Sequence, residues 1–109
     1  MGQQSFSFQA RGATGTTPAA QTALAVTAAV QQITLPSAPS EGGTIRVVVD
    51  GTQNIAWSYG VSASLNLSNG VHMLANTVET FSVPGGITQL SVIAAATGST
   101  VRVMVGDGQ

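Results

Sequence analysis

Cysteine and lysine are absent from this 109-residue sequence, and charged residues of any kind are scarce. Without cysteine there is neither a disulfide framework nor a thiolate metal site, so packing alone must hold the fold. Three arginines and four acidic residues make 6% of the chain charged, against about 25% in ordinary domains. Large parts of the surface can therefore be buried against another protein without leaving a charged side chain buried and unpaired. The alternative is a monomer kept soluble by its many hydroxyl and amide side chains.

The length fits one domain, with a folded surface of roughly 5,600 Å² and one substantial core. Disorder normally accompanies low hydrophobicity and high net charge, whereas this chain is 43% hydrophobic with a net charge of −1. The first residues lack the basic and apolar regions of a signal peptide, and no apolar run reaches the ~20 residues of a membrane span. We expect a folded protein that is made in the cytoplasm and does not enter a membrane.

Catalysis has little support in the residue inventory, because it needs a nucleophile with a base, a carboxylate pair or a metal cluster. His72 is the single histidine, and its sequence neighbours are apolar. The acidic residues fall in turns or singly on predicted strands: Glu41, Asp50, Glu79 and Asp107. We therefore expect no enzyme activity, no metal, no cofactor and no small-molecule substrate. Three arginines without lysine are also too few to neutralise the phosphates of a nucleic acid.

Residues 1–18 are predicted to form an N-terminal arm and linker ahead of a β-domain over residues 19–109. In residues 5–10, Phe6, Phe8 and Ala10 alternate with polar residues, as in a half-buried strand. The Gly/Thr-rich stretch that begins at Arg11 is typical of a linker. We expect the arm strand to join a sheet edge, preferably on a neighbouring subunit. Phe6, Phe8 and Arg11 are therefore candidate partner-contact residues.

Residues 19–35 carry two competing signals. Their alanines favour a helix, whereas the alternation of Leu24, Val26 and Val30 with smaller or polar residues favours a strand. We favour the strand interpretation. The larger apolar residues change parity farther along the segment, which predicts a break near Gln31-Gln32 that divides it into two strands.

The remaining segments predict strands more firmly. Residues 44–50 place Ile45, Val47 and Val49 on one face, and Asp50-Gly51 predicts a tight hairpin turn into residues 54–59. Residues 89–95 and 99–105 are predicted to form a last pair. The chain thus contains about seven to nine short strands at regular spacing, which is typical of an antiparallel β-sandwich or jelly roll, or of a small barrel.

Two arginines are expected on the outer surface of a sheet. Arg46 and Arg102 each lie on the strand face opposite three β-branched residues, in two similar segments of the chain. Each is either an ordinary solvated side chain or the donor of a salt bridge to a partner. Both are therefore candidate partner contacts.

The only tryptophan has two possible roles. Trp57 alternates with Ile55 and Tyr59, which predicts that it belongs to the core. In the alternative, Trp57 or Tyr59 stacks on a sugar ring while polar residues bind the hydroxyls: Gln53, Asn54 and Asn76. The exposure of Trp57 distinguishes the core role from the carbohydrate-binding role.

Several strand and turn features between residues 30 and 108 carry a resemblance: Ile33-Thr34-Leu35-Pro36, the strand 44–49, the run from Val78 to Gly85, Ile93-Ala94-Ala95, and the ending 100–108. In these features the chain resembles small all-β structural proteins of tailed-phage heads and virions. The resemblance implies a jelly-roll-like decoration or cement protein that is located in the virion and binds the major capsid protein. The sparse charge adds the expectation that copies of the chain self-associate. A tail- or fibre-associated module that recognises a host glycan is the alternative function.

Overall fold

The computed structural model describes residues 9–11, 20–36 and 42–107, with the side chains of Gln9 and Asp107 left aside. Every regular element within these ranges is a β-strand. The strands are β1 (Gln9–Ala10), β2 (Thr22–Ala25), β3 (Gln31–Thr34), β4 (Gly43–Gly51), β5 (Ile55–Tyr59), β6 (Val71–Met73), β7 (Thr77–Val83), β8 (Gln89–Ala94) and β9 (Ser99–Asp107).

The strands form two antiparallel sheets, which confirms the predicted β-sandwich. Sheet A has the order β2-β9-β4-β7, and β1 lies beside β2 along the same edge of β9. Sheet B has the order β3-β8-β5-β6. Apart from the short β1, the strands pair in nested order along the chain. β2 pairs with β9, β3 with β8, β4 with β7 and β5 with β6. This nested pairing is a long hairpin rolled up on itself, which is the connectivity of a jelly roll.

The core lies between the sheets and is built from the inward faces of their strands. β4 contributes Ile45, Val47 and Val49, as its alternation predicts, and these side chains are at most 1% exposed. The other members are Val26, Ile33, Leu35, Ile55, Trp57, Met73, Val83, Leu90, Val92, Ala94, Val101, Val103 and Val105. In β4 and β9, the central strands of sheet A, period-2 patterning therefore reports the buried face.

Both predicted hairpins are wrong. β4 pairs with β7 and β9, whereas β5 pairs with β6 and β8, so the Asp50-Gly51 turn leads from sheet A into sheet B. The turn between β8 and β9 likewise connects the two sheets. These two turns pack on each other: Gly51 has φ of 141°, and a Cβ there would lie 2.2 Å from the Gly98 carbonyl oxygen. Glycine at this position lets two backbone segments approach closely, and it does not form a tight hairpin.

Residues 19–35 are extended where the structure describes them, so the strand interpretation is confirmed over the helical one. The segment contains two strands, but the break lies between Ala25 and Gln31, earlier than predicted. The chain changes sheets there. The Val26 N–H donates to the Ser99 carbonyl (3.1 Å), and the Thr27 carbonyl accepts from the Ala94 N–H (2.9 Å).

The described end of the predicted arm pairs with its own chain. Gln9 and Ala10 of β1 lie opposite Asp107 and Gly106 of β9, and the Arg11 N–H donates to the Val105 carbonyl (2.8 Å). In the described residues β1 thus joins the β9 edge of its own chain, at the end that β2 leaves open. Phe6 and Phe8 lie outside the described residues.

Candidate protein-interaction surface

The chain's own loop 60–70 covers the middle of the outer face of sheet B, whereas the edge strands β3 and β6 keep exposed outward residues, Gln32, Thr34 and His72. Ala56 and Ser91 point away from the core, yet both are fully buried beneath this loop. Leu65 inserts from the loop and is 5% exposed. Gly70 allows the close approach, since a Cβ there would lie 2.5 Å from Leu65 Cδ1 and 2.9 Å from the Trp57 carbonyl oxygen.

Side-chain hydrogen bonds hold this loop in place. The Ser91 hydroxyl donates to the Gly60 carbonyl and accepts from the Ser62 N–H, both at 2.8 Å. Within the loop, the Asn69 amide donates to the Ser64 carbonyl (3.1 Å). Ser91 is thus satisfied as donor and acceptor despite its burial, as buried polar groups require.

The outer face of sheet A has a different character. We define the sheet A face as the outward side chains of its four main strands: Ala23, Ala25, Thr44, Arg46, Val48, Asp50, Val78, Thr80, Ser82, Thr100, Arg102 and Met104. Each of them is exposed or half-buried. Val78 is 56% exposed. The sheet A face thus combines apolar, hydroxyl and charged side chains, and none of them is fully buried as Ala56 and Ser91 are on sheet B.

The register brings two of the predicted contact residues together on this face. Arg46 lies opposite Thr80 on one side and Met104 on the other. Arg102 lies opposite Val48 and is therefore the diagonal neighbour of Arg46, a spacing of roughly 7–8 Å. The prediction that both arginines lie on an outer sheet surface is confirmed.

The charged side chains of the sheet A face are Arg46, Asp50 and Arg102. Arg102 Nη2 lies 4.0 Å from Asp50 Oδ2, and the two side chains are 38% and 62% exposed, respectively. Such a pair contributes about 0–1 kcal/mol and leaves the guanidinium available to a better acceptor. Glu79 lies opposite buried Val47 and so has the inward parity of edge strand β7, where it is exposed. An inward charge of this kind protects a free sheet edge from unwanted pairing.

A shallow depression of about 100 Å³ adjoins Arg46, lined by Thr44, Thr80, Phe81 and Ser82. Three of these residues carry hydroxyls, which can donate to an acceptor or accept from a donor. Thr80 is the cross-strand partner of Arg46, so the depression adjoins the strand position of Arg46. Arg11, the remaining predicted cationic contact, lies at the edge of sheet A, just after β1.

Trp57 belongs to the core, as predicted, and is 1% exposed. Its ring makes T-shaped contacts with Tyr59 and Phe81, at centroid distances of 5.1 and 4.9 Å. The buried indole cannot stack on a sugar. Tyr59 remains 37% exposed, and its hydroxyl is bonded to the Ser82 carbonyl. Partial burial raises the Tyr59 pKa by disfavouring its charged form.

The predicted amide partners of a sugar do not gather around Tyr59. Asn54 accepts a hydrogen bond from the Ala75 N–H (2.9 Å), and Asn76 accepts one from the Gly51 N–H (3.1 Å). These two hydrogen bonds link loops next to the first residue of β5, whereas Tyr59 is its last residue. The amides therefore stabilise turns and do not form a sugar-binding cluster with the aromatic rings.

The apolar members of the sheet A face were not predicted as contact residues. Val48, Val78 and Met104 lie at the alternate positions of their strands, and this parity is readable in the sequence. The parity does not reveal which strands are neighbours. Strand pairing alone assembles these side chains around Arg46 and Arg102.

No group of three or more metal-ligating side chains occurs in the described part of the chain. Over the same residues, no helix is long and apolar enough to cross a membrane. Comparison of the chain with protein-family models, curated proteins and solved structures finds no match. The fold and the surface thus define a jelly-roll sandwich in which a loop covers the middle of one outer sheet face.

Proposed function

We propose that this chain is a non-enzymatic structural protein of a phage particle, a capsid decoration or cement protein that binds and stabilises the major capsid protein lattice. The observation that supports the proposal most directly is the difference between the two outer sheet faces. The chain covers the middle of sheet B with its own loop and leaves the outward side chains of sheet A exposed or half-buried. A protein that works by adhesion needs such a surface and needs no reactive centre.

The charge composition supports the same proposal. Decoration requires many identical copies to lie close together on one shell, and strong net charge would oppose that packing. The net charge of −1 imposes little repulsion between copies. Binding to copies of itself, as a homo-oligomer on the shell, is part of the proposal. The burial of Trp57 weighs against the glycan-binding alternative.

The test begins with particles of the phage whose genome encodes the chain. Mass spectrometry of purified particles should detect the protein, and imaging should place it on the outside of the head. Particles made without the gene should release DNA at a lower temperature, and added purified protein should restore their heat resistance. Absence from purified particles, or a location confined to the tail, would refute the decoration role.

A further inference from the structure

We propose that Asn69-Gly70 is a site of spontaneous deamidation, and that its conversion to aspartate or isoaspartate releases loop 60–70 from the middle of sheet B. Among the asparagines of the chain, Asn69 is the one that glycine follows. The reaction and its effect on the loop are properties of the isolated chain. They therefore go beyond the proposed function and do not depend on it.

The reaction needs only the two neighbouring residues and water. The Gly70 nitrogen loses its proton and bonds to Asn69 Cγ, while the Cγ–Nδ2 bond breaks and Nδ2 leaves with a proton as ammonia. Water then opens the cyclic imide, and cleavage at Cγ gives aspartate, whereas cleavage at the backbone carbonyl carbon gives isoaspartate. Glycine favours the attack because no Cβ hinders the approach of its nitrogen. The other asparagines precede branched side chains, which hinder that approach: Asn54, Asn66 and Asn76.

The position of Asn69 in the fold leaves it accessible to this reaction. Asn69 is exposed, and its side chain is bonded only within the loop. Oδ1 accepts from the Asn66 N–H (2.8 Å), and Nδ2 donates to the Ser64 carbonyl (3.1 Å). The amide must leave both partners before Cγ can meet the Gly70 nitrogen. Each such bond lowers the reactive population by about two- to tenfold, so the fold slows the reaction and does not prevent it.

Conversion to aspartate removes a hydrogen bond that closes the loop. A carboxylate oxygen replaces Nδ2 of Asn69, and it cannot donate to the Ser64 carbonyl because an ionised carboxylate only accepts. The two oxygens then repel each other. Ser64 directly precedes Leu65, the side chain that inserts from the loop and is 5% exposed. The lost bond therefore lies next to the residue that holds the loop on sheet B.

Conversion to isoaspartate lengthens the backbone by one methylene immediately before Gly70. This glycine already fits closely, since a Cβ there would lie 2.5 Å from Leu65 Cδ1 and 3.2 Å from Ala56 Cβ. The next residue, Val71, is fixed by its pairing with Trp57 of β5. The extra length must therefore be accommodated on the loop side of Gly70, which displaces residues 64–69 from sheet B.

The first experiment locates the reaction. The folded protein is incubated and digested, and mass spectrometry follows the gain of about 1 Da that accompanies replacement of an amide by a carboxylate. We expect this gain at Asn69 before any other asparagine, and no more than about a hundredfold more slowly than in a peptide of residues 64–74. A first gain at another asparagine, or a slower reaction than this limit, would overturn the proposal.

The second experiment measures the loop. Ion exchange isolates the converted wild type, which carries one more negative charge, and hydrogen exchange followed by NMR reports the Ser62 amide, which donates to the Ser91 hydroxyl beneath the loop. We expect exchange at Ser62 to be at least about threefold faster in the converted protein and in Asn69→Asp. The amides of β4 should exchange as in the unconverted protein.

Ser68→Asp is the matched control, because it adds the same charge to an exposed position of the same loop and keeps the Asn69 amide. It should exchange as the wild type does, and circular dichroism should show that both variants are folded. Unchanged exchange at Ser62 in the converted wild type would overturn the release of the loop. Equal acceleration in Ser68→Asp would overturn it too, because charge alone would then explain the effect.

Discussion

The hydroxyl of Tyr59 on β5 of sheet B donates a hydrogen bond to the backbone carbonyl of Ser82 on β7 of sheet A. The bond links the two sheets at one side of the sandwich, where β6 and β7 are the edge strands. The ring of Tyr59 lies edge-on to Trp57, which also contacts Phe81 from sheet A. One phenol therefore joins the sheets by a hydrogen bond and by aromatic packing.

Replacing Tyr59 with phenylalanine separates these two contributions. Tyr59→Phe should lower the free energy of unfolding by about 0.5–1.5 kcal/mol, because it removes the hydrogen bond and keeps the ring. Tyr59→Ala should cost clearly more, since it also removes the contact with Trp57. Urea denaturation measures both. Equal stability of Tyr59→Phe and wild type would show that the cross-sheet bond contributes nothing measurable.

The raised pKa of Tyr59 predicts a loss of stability at alkaline pH. The unfolded chain releases the phenol proton near its ordinary pKa of about 10, whereas the folded chain retains it to a higher pH. Above about pH 10 the unfolded state therefore binds fewer protons, and the free energy of unfolding falls as pH rises through the folded pKa. Below about pH 10 the contribution is fully present.

The alkaline experiment has few competing groups, since the chain has no lysine or cysteine and only one tyrosine. Tyrosinate absorbance should report the Tyr59 titration directly, and denaturation at several pH values should report its effect. Tyr59→Phe is the control and should show a smaller alkaline decline. A decline of the same size in this variant would assign the effect to another group.

Truncation of the central tryptophan should be strongly destabilising. Trp57→Ala is expected to cost about 3–5 kcal/mol, because it leaves a cavity between the two sheets. The exposed Val61 gives a control, and Val61→Ala should change stability by no more than about 0.5 kcal/mol. Wild-type fluorescence should have the blue-shifted maximum of a buried indole. An emission maximum typical of indole in water would contradict the buried position.

Two buried serines should contribute to stability through the connections that they hold. Ser91 binds loop 60–70, and Ser99 similarly donates to the Gln53 carbonyl (2.9 Å) and accepts from the Gln53 N–H (2.8 Å). Ser91→Ala and Ser99→Ala should each cost about 1–3 kcal/mol, because each leaves a backbone donor and acceptor without its partner. Thermal melts measure the loss. The exposed Ser68 is the control, and a Ser68→Ala variant as unstable as the other two would argue against this explanation.

Deletion of residues 1–12 tests the arm. The truncated domain should fold, because β2 still pairs with β9 after β1 is lost, and each lost backbone hydrogen bond should cost about 0.5–1.5 kcal/mol. We expect weaker self-association or particle binding if Phe6 and Phe8 reach a neighbour. Circular dichroism, thermal melts and co-sedimentation should be compared with the full chain. A truncated chain that does not fold would place the two phenylalanines in the core of their own domain.

The alternation of residues determined the buried faces of β4, β9 and most of β5. Ile45, Val47 and Val49 were predictable as one face because the side chains of a strand alternate whatever strand lies next to it. Trp57 followed by the same argument from Ile55. Arg46 and Arg102 occupy the alternate positions of the same strands and were therefore predictable as outward residues. These properties depend only on local chain geometry, which is why the sequence alone was sufficient.

Strand partners were decided by the tertiary structure. Asp50-Gly51 determines that the chain turns, but a turn can lead to the adjacent strand or to the opposite sheet with the same residues. In the jelly roll the chain crosses from sheet A to sheet B after Gly51. β4 then lies between β7 and β9 and buries its inward face against sheet B. Long-range burial therefore outweighs the local preference for a hairpin.

The open and covered faces also depend on tertiary structure. Ala56 and Ser91 occupy outward positions in the strand pattern, and only the return of loop 60–70 over sheet B buries them. Arg46 and Arg102 are far apart in the chain and become neighbours only through the register of β4 with β9. A strand pattern specifies which side chains point outward, but it does not specify what covers them, because cover and neighbours come from segments distant in sequence.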